Sequence, residues 1–176
     1  TKTFQQNVLG KSGGTTGIDN EIAENGFKNV GSWILGRNMF SPYRGKHDLN
    51  WKGWWGDNPP YHVPVYILTN HKRESIEMEG GTTFHFVTDG INAALEKAFD
   101  SANGKDVRLG GGVNTIRQYL KAQLIDELHL VVSPVILGSG ENLFTDLDLT
   151  SLGYKSVKHI SSDKAIHLFI KKTNST

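Results

Sequence analysis

"RLGGGVNTIRQYL", residues 108–120, runs three consecutive glycines straight into a segment with helical periodicity. Val113, Ile116 and Leu120 recur at the spacing of one apolar helix face. Glycine is used where a chain turns tightly or where bare backbone must lie against something. A strand-to-helix turn accounts for these glycines structurally. An anion resting on the first N–H groups of the helix accounts for them functionally. The surrounding sequence decides between the two.

Just before the glycines, "DVRLG" (106–110) reads as a short buried strand. Three similar runs precede it: "GSWILG" (31–36), "VPVYILT" (63–69) and "FHFVT" (84–88). The last leads into "DGINAALEKAFDSA", where Ile91, Ala94, Leu95, Ala98 and Ala102 share a helical face and Thr88 or Asp89 is placed to cap. "ELHLVVSPVILG" (127–138) reads as a long fifth strand, with Pro134 marking an edge or bulge. "YKSVKHI" and "AIHLFIKK", either side of "SSDK", read as a closing hairpin. Strand–helix–strand units ending in a hairpin predict an α/β fold, its sheet parallel through the middle and antiparallel at one edge. Two segments stand outside this scheme. Residues 10–17, "GKSGGTTG", are a flexible loop; residues 41–62 hold three tryptophans and two tyrosines among Gly, Pro and Asp. So aromatic a loop is expected to be ordered and functional rather than idle.

With 176 residues the chain is expected to form one domain. Its net charge is +1 and its Lys and Arg are scattered, which argues against a nucleic-acid surface. There is no cysteine, so disulfides and thiolate metal sites are excluded. No apolar run approaches the roughly 20 residues of a membrane span. A soluble, cytoplasmic protein without membrane or nucleic-acid partners is expected.

Several candidate motifs fail on context. "GKSGG" (10–14) has the letters of a nucleophile elbow, but no strand-to-helix turn surrounds it, and Gln5 stands where a P-loop needs its first glycine. The seven histidines show no i, i+4 pair and no H-E-x-x-H, so no metal site is predicted. Asp126 and Glu127 are adjacent, and at a strand they would face opposite ways. Strand ends are more informative. Gly36, Arg37 and Asn38 close one strand; Thr69 and Asn70, with Lys72 and Arg73 beyond, close another; the glycine segment closes a third. Ligands of open α/β sheets bind outside the carboxyl ends of their strands. Three such ends rich in anion-binding groups favour phosphate, although no G-x-G-x-x-G is present.

The segment "DVRLGGGVNTIRQYLKAQLIDELHLVVSPVILGSGENLF" resembles the reductase domain at the C-terminus of the bacterial riboflavin-pathway deaminase–reductase, within the dihydrofolate reductase-like superfamily. "WILGRNMF" and "VYILTN" are similar to its cofactor-binding strand ends. "GWWGDNPPYHVPVYILTN" and "GGTTFHFVTDGINAALEKA" are similar to a stand-alone branch of dihydrofolate reductase family proteins. The resemblance spans roughly residues 30 to 171. It implies a three-layer dihydrofolate reductase-like fold over residues 1–176, with a mostly parallel mixed sheet, helices on both faces and a C-terminal antiparallel hairpin.

It also implies an NADPH site. Gly36, Arg37, Asn38 and Met39 would form the first phosphate loop, and Leu68, Thr69 and Asn70 the strand end at the 2′-phosphate. Gly110, Gly111, Gly112, Val113, Asn114 and Thr115 would hold the pyrophosphate, with a cis peptide expected at Gly111–Gly112. Trp51, Trp54 and Trp55 are the candidates for a substrate pocket. The implied activity is NADPH-dependent reduction of a small heterocycle. An aminopyrimidine ribose phosphate of riboflavin synthesis leads; a pterin, or a non-catalytic nucleotide-binding role, is the alternative. A homodimer through Leu128, Leu130, Val132, Val135 and Ile136 is expected. Family members also begin with a strand bearing a pattern like SLDG. It has no counterpart in these residues and is expected to belong to the working protein nonetheless.

Overall fold

The computed structural model describes residues 1–173. A short helix α1 (Lys2–Asn7) and a second helix α2 (Ile18–Phe27) precede the first strand, β1 (Val30–Gly36). A single helical turn, α3 (Arg37–Phe40), follows it directly. Then come β2 (Pro64–Leu68), β3 (Ile76–Glu77), β4 (Thr83–Val87), α4 (Gly90–Ser101), β5 (Asp106–Leu109), α5 (Val113–Lys121) and β6 (Glu127–Val132). The hairpin β7 (Tyr154–Ser161) and β8 (Ile166–Lys172) closes the chain.

These strands form two sheets. One has the order β3-β4-β2-β1-β5; only β3 runs antiparallel to its neighbour. The other, β6-β8-β7, is antiparallel throughout. Among the described residues β5 is paired only with β1, and β6 only with β8.

One core cluster joins the sheets beneath α4 and α5. It takes Ile34 and Tyr66 from the first sheet, Tyr154 and Ile170 from the second, and Ala94, Ala98, Tyr119 and Leu120 from the helices. The alanine stripe seats α4 close against β1. A Cβ at Gly31 would overlap the Ala102 carbonyl, and the Ser32 hydroxyl donates to Ala98 O at 2.8 Å. Strand alternation turns Leu35, Val65, Ile67 and Phe84 to the opposite face, where Phe40 of α3 completes a second cluster. Phe40 packs edge-on against Phe84 and Phe86, and each buried aromatic of this kind contributes about 1.5–3 kcal/mol.

The irregular segment 41–62 covers this second cluster, as its aromatic content predicts. The Trp51 indole N–H donates to Phe40 O at 2.7 Å, and Tyr61 packs against both Trp33 and Phe84. Helix α2 reaches the same face, where Arg108 lies over the rings of Phe27 and Trp33. The α/β layering expected from the sequence is therefore present. Its fifth strand is shorter than expected. It stops at Val132, and Pro134, which cannot donate to a ladder, lies in the loop beyond. Among the described residues no helix is long and apolar enough to cross a membrane, and no cluster of metal-binding side chains occurs.

Candidate functional site

The carboxyl ends of β1, β2 and β4 and the turn after β5 surround a cavity of about 630 Å³. Two helices begin at its wall. Helix α4 starts at Gly90 and α5 at Val113, and neither has a side-chain hydrogen bond capping its N-terminus. The first-turn N–H groups of a helix lack intrahelical acceptors and carry its positive end. Two such ends facing one cavity make it attractive to phosphate.

The glycine segment shapes this wall. Gly111 and Gly112 have φ of +119° and +33°, and these left-handed conformations reverse the chain between β5 and α5. The Gly111–Gly112 peptide is trans, correcting the expectation of a cis bond; the two positive φ values make the turn instead. Gly36 N–H donates to Gly111 O at 2.9 Å, which ties the turn to the end of β1. A Cβ at Gly36 would run into Thr115 Oγ1. Strand end and helix start are thus as close as bare backbone allows.

Two guanidinium groups add charge, and neither has a carboxylate partner among the described residues. Arg37 donates to Gly45 O and, at 3.4 Å, to Lys46 O, folding the 43–47 segment towards the cavity. Its Nε is buried without a partner. Burial, with the nearby charge of Arg44, lowers its pKa from the ordinary value. Arg44 donates to Asn38 Oδ1 at 2.6 Å. At the end of β2 the Thr69 hydroxyl accepts from His71 N–H, while His47 Nε2 lies 3.0 Å from His71 O. Since a carbonyl only accepts, Nε2 carries the His47 proton. Burial, and then the charge of Arg37, holds that imidazole below its usual range.

Of the residues singled out from the sequence, Gly36, Arg37, Asn38, Leu68, Thr69, Asn70, Gly112, Val113, Asn114 and Thr115 line this cavity. Met39, Gly110 and Gly111 do not. A Cβ on Gly111 would point at the Met39 side chain, 3.6 Å away. Gly110 borders a second cavity, of about 690 Å³, on the other side of the turn. Of the three loop tryptophans singled out, Trp55 lines that second cavity. Trp51 and Trp54 line neither; they pack edge-on against each other at 4.9 Å. Sequence reading missed Gly90 and Arg44 at the first cavity, although a glycine after "TD" and before a helical run was a readable signal for the former.

A dinucleotide fits the donor set of the first cavity. The unpartnered Arg37 Nε, the paired helix ends and the glycine cradle are what a pyrophosphate and a further phosphate require. The fold is that of a dihydrofolate reductase-like domain, with a cavity at its strand ends that helix N-termini and guanidinium groups line. Residues 5–168 match the RibD C-terminal domain family, and the chain belongs to it. Among solved structures it is similar to a putative riboflavin biosynthesis protein from Shewanella sp. PV-4. The TM-score is 0.61 at 21% identity, over 92% of this chain and 84% of that one. It also resembles the Thermotoga maritima diaminohydroxyphosphoribosylaminopyrimidine deaminase/5-amino-6-(5-phosphoribosylamino)uracil reductase. There the TM-score is 0.54 at 12% identity, over 94% of this chain and 52% of that one. Two uncharacterised Bacillus subtilis (strain 168) proteins share sequence with it. YyaP is 37% identical over 62 residues and YwjB 30% over 83. The matched stretches span 32% and 47% of those proteins.

Proposed function

We infer that the protein is a cytoplasmic NADPH-dependent reductase of a small heterocyclic substrate, of the riboflavin-biosynthesis type. Its leading substrate is 5-amino-6-(5-phosphoribosylamino)uracil. The observation that carries this reading is the convergence on one cavity at the strand ends of two helix N-termini without side-chain caps and two guanidinium groups that, among the described residues, have no carboxylate partner. Family membership supports the reductase class. Bound there, the reduced nicotinamide supplies a hydride. The chain's own part is to hold the phosphates through the α4 and α5 amides, Arg37 and Arg44, with Thr69 and Asn70 at the adjoining strand end. The test is direct: titrate the protein with NADPH and NADH, then add the aminouracil and follow loss of reduced nicotinamide. Tight NADPH binding with turnover is expected; equal affinity for the two nucleotides would remove the assignment.

The unpaired facing edges of β5 and β6 support a further reading, that the family's first strand, with its SLDG-like pattern, joins them in the working protein. A homodimer is also part of the proposal. Leu128 and Leu130 pack into the core, so the surface left for pairing is Val131, Val132, Val135, Ile136 and Leu137. Ile136 is 98% exposed, more than an isolated monomer is expected to leave bare beside four other apolar side chains. Ile136→Asp should convert a dimer to a monomer in light scattering, whereas a monomeric wild type would refute the pairing.

A further inference from the structure

Tyr43, Arg44 and Gly45 line the first cavity at the start of a strap, residues 43–49, that runs from the end of β1 to the end of β2. The strap has no helix or strand of its own, so side chains from the sheet ends hold it. Arg37, the first residue of α3, donates from Nη1 to Gly45 O and from Nη2 to Lys46 O. Arg73, beyond β2, donates to Asp48 O at 3.2 Å and to Leu49 O at 3.0 Å. Its guanidinium lies over the rings of Phe40 and Phe86, and it does not line the cavity. Between these two clamps His47 Nε2 donates to His71 O, with its ring edge-on to Phe86. Side chains anchored on both strand ends thus fix the backbone that carries Arg44.

The two cavity arginines differ in what they have left to offer. A guanidinium binds phosphate best along one edge, through two parallel N–H donors. Both terminal nitrogens of Arg37 are turned to strap carbonyls, and only its Nε is without a partner. Arg44 uses Nη1 alone, on Asn38 Oδ1 at 2.6 Å. Among the described residues its Nε and Nη2, which form one edge of the fork, have no partner. Glu141 lines the cavity from the loop that Arg117 of α5 holds, and it pairs with neither guanidinium. The charge of Arg44 adds to burial in lowering the Arg37 pKa, so the two cations stand near each other without a counter-ion. A dianion beside them relieves that repulsion. A phosphate monoester carries about 1.5–2 negative charges at neutral pH, against a single charge on each phosphate of a pyrophosphate bridge. The bridge is matched by the amides at the starts of α4 and α5, the monoester by the free Arg44 edge.

We propose that Arg44 is the residue that selects the 2′-phosphate of NADPH, and that Arg37 and Arg73 are positioning residues that hold the strap for it. The inference rests on the reductase reading above and deepens its cofactor half. The 2′-phosphate meets the Nε–Nη2 edge of Arg44, with Thr69 and Asn70 at the end of β2 lining the same cavity as neutral groups. Arg37 acts on this contact through the Gly45 and Lys46 carbonyls, and Arg73 through those of Asp48 and Leu49. Without the clamps, binding would first have to order the strap and would lose the entropy of doing so. NADH has no 2′-phosphate and makes no use of the strap.

The test needs no turnover. In arginine side-chain nitrogen NMR of the cofactor-free protein, adenosine 2′,5′-bisphosphate should move the Arg44 Nε signal and adenosine 5′-monophosphate should not. By isothermal titration, Arg44→Ala should lose about ten- to a hundredfold more affinity for NADPH than for NADH. Its melting temperature should hold, since Arg44 is exposed. Arg44→Lys keeps the charge without the fork and should fall between. Arg73→Gln should lower the same preference severalfold from outside the cavity. Arg37→Ala combined with Arg44→Ala should lose no more preference than Arg44→Ala alone, because one acts through the other. An Arg44→Ala protein that keeps the wild-type preference, or an Arg44 signal that answers both nucleotides alike, overturns the assignment. So does a loss confined to the aminouracil, which would give Arg44 to the substrate's phosphate instead. Additive losses in the double variant, or an Arg73→Gln protein with wild-type preference, overturn the positioning roles. If wild type shows the Arg44-dependent preference yet does not oxidise NADPH with the aminouracil, the reductase reading falls and the Arg44 assignment stands. Equal wild-type affinities for NADPH and NADH remove both.

Discussion

The two cavities flank one glycine turn but are built from opposite materials. The first is framed by backbone, with guanidinium groups added at its edge: helix ends at Gly90 and Val113, the bare Gly36, and the left-handed Gly112. The second is made of side chains, aromatic rings and an Asp–His–His line drawn from α2, β6 and β8. Backbone sites recognise what all phosphates share. Side-chain sites can distinguish one heterocycle from another. The difference teaches where substitution should be tolerated and where it should not.

The largest effect is expected at Gly36. An added methyl meets Thr115 Oγ1 and lies 3.4 Å from Gly111 O, so the start of α5 must move away from β1. Gly36→Ala should cost about 1–3 kcal/mol of stability, as overpacking does, and abolish most nucleotide affinity. Thermal melting and NADPH titration read the two losses, and a Gly36→Ala protein that binds normally would break the backbone half of the contrast. Next in size is Arg37→Ala. A charge-assisted hydrogen bond contributes about 1.5–3 kcal/mol, so the preference for NADPH over NADH should fall roughly ten- to a hundredfold. NADH affinity itself should barely change, and isothermal titration with both nucleotides checks this.

A pH effect of intermediate size is expected from the core beneath α4 and α5. Burial raises the Tyr119 phenol, whose hydroxyl donates to Ile91 O at 2.8 Å. A group with a raised folded pKa gives stability that is complete below its unfolded value, near pH 10, and lost as pH climbs above it. Urea melts across that range should show an alkaline decline that Tyr119→Phe flattens, at a cost of about 1 kcal/mol for the hydrogen bond. The smallest effect sharpens the other half. Trp54→Ala, at a site that lines neither cavity, should stay within about 0.5 kcal/mol in stability by thermal melting and leave NADPH affinity unchanged.

The contrast also explains what could be read from the sequence. A backbone site leaves local marks: three glycines before a helical face, a glycine closing "WILG", hydroxyl and amide after "VYIL". Gly36, Thr69 and Gly112 were legible for that reason, as were the α/β alternation and the closing hairpin. The side-chain cavity leaves no such mark. Asp19 and His167 are 148 positions apart, and His129 and His167 meet only because β6 and β8 pair with Val131 opposite His167. Seven histidines without a short-range pattern look scattered until register is known. The division of the strands into two sheets was hidden likewise, because a crossover through α5 reads the same whether β5 and β6 pair or stand apart.

That division bears on how the protein behaves in solution. The core beneath α4 and α5 holds the sheets together by apolar contact, and no ladder crosses from β5 to β6. Unpaired strand edges offer a row of N–H and C=O groups to any extended chain that reaches them. A strand supplied there, as proposed above, would satisfy both rows at once and join the two sheets into one.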